Sequence, residues 1–256
     1  MSRLARIRAE ATGAMRTFLR RRTAVFFTFL FPVVLIVIFA GLVRTQGSGG
    51  AGLFSKPTGY YLPAYLATVV LFTPLSRVGS EVARHREDNR FEKLATTPLT
   101  RAEWLAAHAL VNVALIVAAS ALLVVALLLT GATFELSPWL VFFVPASSVL
   151  FCGVGAMLGS LAEGQDGAIA ASNGIALPLL FLSETFVQPA LFPEWFQPLL
   201  EFSPLVYFSR GVRAATFPEA IEAAGSSGVV ATNAAVTLAL AVVAFAVGAA
   251  LIPWTE

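Results

Sequence analysis

Nine charged side chains crowd into residues 84–105 of an otherwise apolar chain: Arg84, Arg86, Glu87, Asp88, Arg90, Glu92, Lys93, Arg101 and Glu103. Carboxylates and guanidiniums at this density suit a solvated connector. They do not suit hydrocarbon, so the stretch is expected in water between two membrane spans. Phe91, Leu94 and Ala95 recur at spacings of three and four, which places them on one side of a helix. Thr97-Pro98 should end that helix, because the residue before a proline avoids the helical region. Thr100 followed by Glu103 is a capping box that opens the next helix. A solvated loop that only joins two spans remains the simpler reading of these features.

Other chemistries lack their residues. A phosphate-binding P-loop needs Gly-Lys followed by Ser or Thr, and the two lysines sit in Ser55-Lys56-Pro57 and Glu92-Lys93-Leu94. His85 and His108 have no Cys or second His close in sequence, so no zinc site is expected. His85 reads as a solvated surface residue and His108 as a residue at a span end. No Gly-x-Ser-x-Gly nucleophile elbow occurs, and the single Cys152 cannot form an intramolecular disulfide. No catalytic, cofactor-binding or metal-binding residue is therefore assigned.

The elements around the charged stretch follow from hydropathy. The 256 residues are 57% hydrophobic and 12% charged, with a mean hydropathy of +0.80, against about 25% charged in soluble domains. This predicts an all-α polytopic membrane protein with one membrane domain. Residues 1–22 carry seven arginines against Glu10, with apolar residues at helical spacing, and read as an amphipathic helix lying on the inner membrane surface. The basic part is too long for a signal peptide. Six transmembrane helices are expected at 24–43, 60–78, 106–130, 139–161, 168–186 and 229–252, each near the ~20 residues needed to cross. Residues 79–105 form the charged loop. Gly155-x-x-x-Gly159 permits close helix approach and is read as ordinary packing. Residues 187–215 are too apolar for a free loop, yet Pro189, Pro193, Pro198 and Pro204 forbid one continuous helix. A re-entrant helical hairpin, or an amphipathic loop on the membrane surface, fits them. With the N-terminus inside, thirteen of the seventeen Lys and Arg residues fall on inner flanks, so both termini are expected in the cytoplasm. The middles of the six spans carry no ionisable residue, which argues against a secondary transporter.

Glu87-Asp88-Asn89-Arg90-Phe91-Glu92-Lys93-Leu94, then Thr97-Pro98-Leu99-Thr100-Arg101-Ala102-Glu103, resembles the cytoplasmic loop of ABC-2 type transporter permeases, with Asn89-Arg90 where Gly-Thr is common. Phe192-Pro193-Glu194-Trp195-Phe196, Ser203-Pro204-Leu205-Val206-Tyr207 and Arg210-Gly211-Val212-Arg213 resemble that family's re-entrant segment before the last span. Ser183-Glu184 stands where the family often has Ser-Gly, which leaves the role of Glu184 open. The resemblance implies the permease subunit of an exporter in the cytoplasmic membrane, with no ATPase site of its own. It implies coupling to an ABC ATPase subunit through Glu87, Arg90, Phe91, Glu92, Leu94 and Pro98, with Phe91 and Leu94 as buried anchors of the dock. ATP and Mg would be bound by that partner. Pro193, Trp195, Pro204, Tyr207, Arg210 and Arg213 would belong to the hairpin. The implied partners are the ATPase, a second permease in a homodimer or heterodimer, and membrane lipid, with no nucleic acid. The cargo would be hydrophobic or amphipathic. A secondary transporter and a non-catalytic membrane scaffold are the alternatives to an exporter subunit.

Overall fold

The computed structural model of the chain describes residues 2–38, 57–185, 192–217 and 226–254. Their regular structure is helical. Helix α1 (Arg3–Arg20) is capped by the Ser2 hydroxyl, which accepts from the Ala5 amide at 3.3 Å. Arg21 leaves helical geometry with ψ 78°, and α2 (Arg22–Ile36) starts immediately beyond it, with Pro32 inside. The expected continuation of this span through 39–43 and Pro189 lie outside the described residues.

A short 3-10 turn (Thr58–Tyr61) leads into α3 (Leu62–Glu87), which has 26 residues and is the most enclosed helix of the bundle. It runs on past the expected end at Val78, so Glu81, Arg84, His85, Arg86 and Glu87 form its last turns. Asn89 then adopts φ 50°, a left-handed conformation that Asn tolerates better than most residues, and α4 (Arg90–Ala95) follows. The capping box is present: the Thr100 hydroxyl accepts from the Glu103 amide, and the Glu103 carboxylate accepts from the Thr100 amide at 3.0 Å. It opens α5 (Arg101–Leu129). Helices α6 (Leu140–Leu161) and α7 (Gln165–Phe181) come next, then the single turn α8 (Gln197–Leu200), α9 (Pro204–Thr216) and α10 (Ser226–Leu251).

Among the described residues four helical stretches are long and apolar enough to cross a membrane: 58–87, 101–129, 140–161 and 228–251. Helix α7 is shorter, with 17 residues, and α2 has 15. The expected hairpin region is described from Phe192 onward. Residues 192–196 turn, α8 adds one helical turn, and only the second arm, α9, is a sustained helix of 13 residues.

Helix α3 packs on α2, α5, α6, α7 and α9. Its closest approach is to α6, where the glycines expected to allow it are used. A methyl on Gly155 would sit 2.7 Å from the Leu75 carbonyl and 3.1 Å from that of Pro74. Gly159 meets the Gly79 backbone in the same way, and Gly153 on the other side of α6 meets Ala244 and Gly248 of α10. The Gly155-x-x-x-Gly159 pattern is thus filled within the chain. Ser172 of α7 closes the other flank, donating to the Leu75 carbonyl at 3.2 Å.

The connections sort to two ends. One end gathers α4, the α6–α7 turn and residues 252–254. There Arg86 donates to the Ser160 carbonyl at 2.5 Å and to that of Ala162, Glu87 accepts from the Gln165 amide at 3.1 Å, and Arg101 donates to the Ala250 carbonyl at 3.1 Å. The start of α1 joins this end, since Arg6 pairs with Glu103. The other end holds the 3-10 turn, the α5–α6 connection and α9, tied by a 2.8 Å bond from the Glu135 amide to the Thr216 carbonyl.

Gly155→Ala should destabilise the protein by about 1–3 kcal/mol, because the new methyl meets backbone that cannot yield. Gly174→Ala, with open space around it, should be neutral or slightly stabilising through helix propensity. Thermal unfolding of the two variants in detergent checks the contrast.

Candidate coupling surface and buried polar cluster

Helix α4 is held to the bundle by one aromatic side chain. Phe91 is 2% exposed, and its ring centroid lies 5.2 Å from both Trp104 and His85 and 5.6 Å from Trp254. Leu94 is half-buried against the same cluster. The expectation that the Phe91 ring anchors a dock on another protein does not match this burial. The apolar side of α4 is real, but it covers the chain's own core. Periodicity identified the residues that share a side and could not say what that side meets. The outward side is polar: Glu87, Asp88, Arg90, Glu92, Lys93 and Pro98 are exposed. Arg90 pairs with Asp88 through a 3.0 Å contact from its Nε.

The histidines also depart from expectation. His85 is buried, its Nδ1 2.8 Å from the Glu81 carbonyl, and it is packed beside Phe91 and Trp104. His108 is buried with its ring 4.0 Å from that of Trp104 and its Nε2 3.5 Å from Glu10. That imidazole holds the Glu10 carboxyl below the usual carboxylate range. Both histidines are core residues that link α3, α5 and α1. Among the described residues no group of three His, Cys, Asp or Glu is placed to hold a metal ion.

At the opposite end the structure assembles a site that the sequence left open. Glu184 is 3% exposed and adopts φ 56°. Its carboxylate accepts from Arg210 Nε at 3.1 and 3.2 Å and from Nη2 at 2.5 Å, a two-pronged pair of the kind guanidinium geometry favours. The Glu184 carbonyl accepts from Arg213 Nη2 at 2.5 Å, and the Arg213 guanidinium lies 4.6 Å from the Tyr60 ring. The Ser209 hydroxyl donates to the Ser183 carbonyl. Glu184 is thus the residue through which α9 is fastened beyond the end of α7. Its signal in the sequence was an acid after an apolar run, with two arginines 26 and 29 positions later and nothing to say they meet. The other expected hairpin residues spread apart. Tyr207 donates to the Glu201 carbonyl at 2.9 Å and Pro204 opens α9, whereas Pro193 and Trp195 are exposed, Trp195 at 72%.

Phe91→Ala should cost about 3–5 kcal/mol, the range for emptying a buried aromatic site, and should change the fluorescence of the neighbouring Trp104 and Trp254. Lys93→Ala on the exposed side should change neither. Glu184→Gln should lower the thermal midpoint well below that of Glu201→Gln. The first takes the buried counter-charge away from Arg210, whereas Glu201 is 65% exposed and 3.9 Å from Arg210.

Comparison with known proteins bears on these ends of the bundle. The chain is 29% identical over 220 residues to the daunorubicin resistance ABC transporter permease protein DrrB1 of Streptomyces coeruleorubidus, a match that covers 80% of this chain and 76% of the relative. The family model for ABC-2 type transporters matches residues 6–217, from the first turns of α1 to the end of α9. The chain is a multi-pass membrane protein and belongs to the ABC-2 type transporter family.

Proposed function

We propose that this chain is the membrane permease subunit of an ATP-driven exporter, and that α4 with its flanking residues is where a separate ATPase subunit docks. The observation that carries the reading is the outward side of α4. It is a short, charged surface fixed to the apolar bundle through Phe91, in a family-matched chain that has no P-loop. Glu87, Arg90, Glu92 and Pro98 supply the contact surface, while Phe91 and Leu94 position it. ATP and Mg belong to the partner.

In this reading six helices cross the membrane, α2 and α7 included, and residues 187–215 enter and leave on the outer side with α9 as the inserted arm. The sorting of the connections supports it, because α1, α4, the α6–α7 turn and residues 252–254 share one end. That end carries most of the cationic residues, which favours a cytoplasmic location for both termini. A second permease, a copy of this chain or a related one, completes the translocation path, with the exposed apolar faces of the bundle turned to it or to lipid. The relative's name ties it to daunorubicin resistance, which supports a hydrophobic or amphipathic cargo. A secondary transporter would need an ionisable site within the spans, and the buried Glu184 is instead held by arginines at one end of the bundle.

The test is co-purification of a candidate ABC ATPase with the permease, together with ATP-dependent export. Reversing both Arg90 and Lys93 to Glu should weaken ATPase capture and export together while leaving thermal unfolding of the permease unchanged. Undiminished capture by that variant would remove α4 from the dock, and export without any ATPase would reject the function.

A further inference from the structure

A cavity of about 470 Å³ lies between the α1–α2 elbow and helices α3, α5 and α7. Its lining divides by chemistry. Phe27, Phe72 and Ile169 supply apolar wall, and Ser76 and Asn173 supply hydrogen-bonding groups. Two guanidiniums, Arg21 and Arg77, reach it. Among the described residues the one carboxylate in its lining is Glu81, and it is engaged by Arg84 and 3.9 Å from His85. The described lining therefore carries more positive than negative charge.

Arg77 is the informative residue. It sits on the most enclosed helix of the bundle, and its guanidinium lies 4.5 Å from the ring of Phe18, which α1 lays over it. Its Nη1 is buried and has no hydrogen-bond partner among the described residues. A guanidinium stays charged under all ordinary conditions, and a buried donor left without a partner is costly. Long cationic side chains in membrane proteins usually reach water or an anion. Arg77 lies under the Phe18 ring and lines the amphipathic cavity.

We infer that this cavity binds an amphipathic molecule with an anionic headgroup, whose head is held by Arg77 and Arg21 and whose apolar part lies along Phe27 and Phe72. The membrane leaflet that α1 rests on is its source, and an anionic phospholipid is the occupant the chemistry fits. The inference rests on the chain being a membrane protein and is independent of the proposed export role.

The experiment titrates the full chain, purified in detergent, with short-chain phosphatidylglycerol and with phosphatidylcholine of the same acyl length, and reads bound lipid by native mass spectrometry. Phosphatidylglycerol should be retained preferentially. Arg77→Gln should weaken its retention about tenfold or more, the scale of one lost charge-assisted contact. Arg8→Gln, which removes the same charge from an exposed position of α1, should leave the preference intact. Ser76→Leu fills the cavity while keeping Arg77, and should lower retention of phosphatidylglycerol as well. Glycerol phosphate, the headgroup without its chains, should not displace the lipid at equal concentration. Equal retention of the two lipids by the unaltered chain would overturn the inference. So would a preference that survives both Arg77→Gln and Ser76→Leu, or one that Arg8→Gln reduces as much as Arg77→Gln. Displacement by glycerol phosphate would overturn its amphipathic part.

Discussion

The bundle depends on the backbone-to-backbone contact between α3 and α6. Lipid gives apolar side chains no reason to leave it for one another, so helices in a membrane associate through close packing and hydrogen bonds. At Gly155 and Gly159 the two helices come near enough that one added carbon would strike a main-chain carbonyl. Gly153 repeats the device toward α10. With α6 gripped on two sides, α3 becomes the post on which α2, α5, α7 and α9 lean, and the polar groups at either end are carried into register by it.

Those two ends are built differently. The α4 end is a lattice of ordinary connections in which charged side chains cap main-chain carbonyls and one carboxylate, Glu103, serves at once as the helix cap of α5 and the partner of Arg6. The α9 end concentrates its electrostatics in Glu184, buried and in left-handed geometry, with one arginine on its carboxylate and another on its carbonyl. A polar group this deeply enclosed persists only where its partners are complete.

Much of this was legible in the sequence because it depends on local rules. The Thr100–Glu103 cap, the amphipathic α1, the proline that ends α4 and the close approach at Gly155 each follow from residues within one or two turns of each other. What the sequence withheld is tertiary. The spacing of Phe91 and Leu94 marks an apolar side, but whether it meets a partner or Trp104 depends on where α3 ends, and α3 runs nine residues beyond its apolar portion. His85 looks solvated in sequence, and becomes core only because Phe91 and Trp104 pack against it. Glu184 finds arginines 26 and 29 residues away, and no periodicity reports such a pairing.

The turn at Asn89 has a mechanical consequence. Only Asp88 and Asn89 separate α4 from α3, and α4 is also held through Phe91 to the last turns of α3 itself. There is too little slack between them to absorb a displacement. Helix α3 is unbroken over 26 residues, a rod of about 39 Å at 1.5 Å per residue. A push on α4 would therefore arrive at the far end as a tilt of the whole rod, with the glycine contacts near its middle as fulcrum. Pro74, whose carbonyl faces Gly155 within that fulcrum, is where such a rod has least resistance to bending.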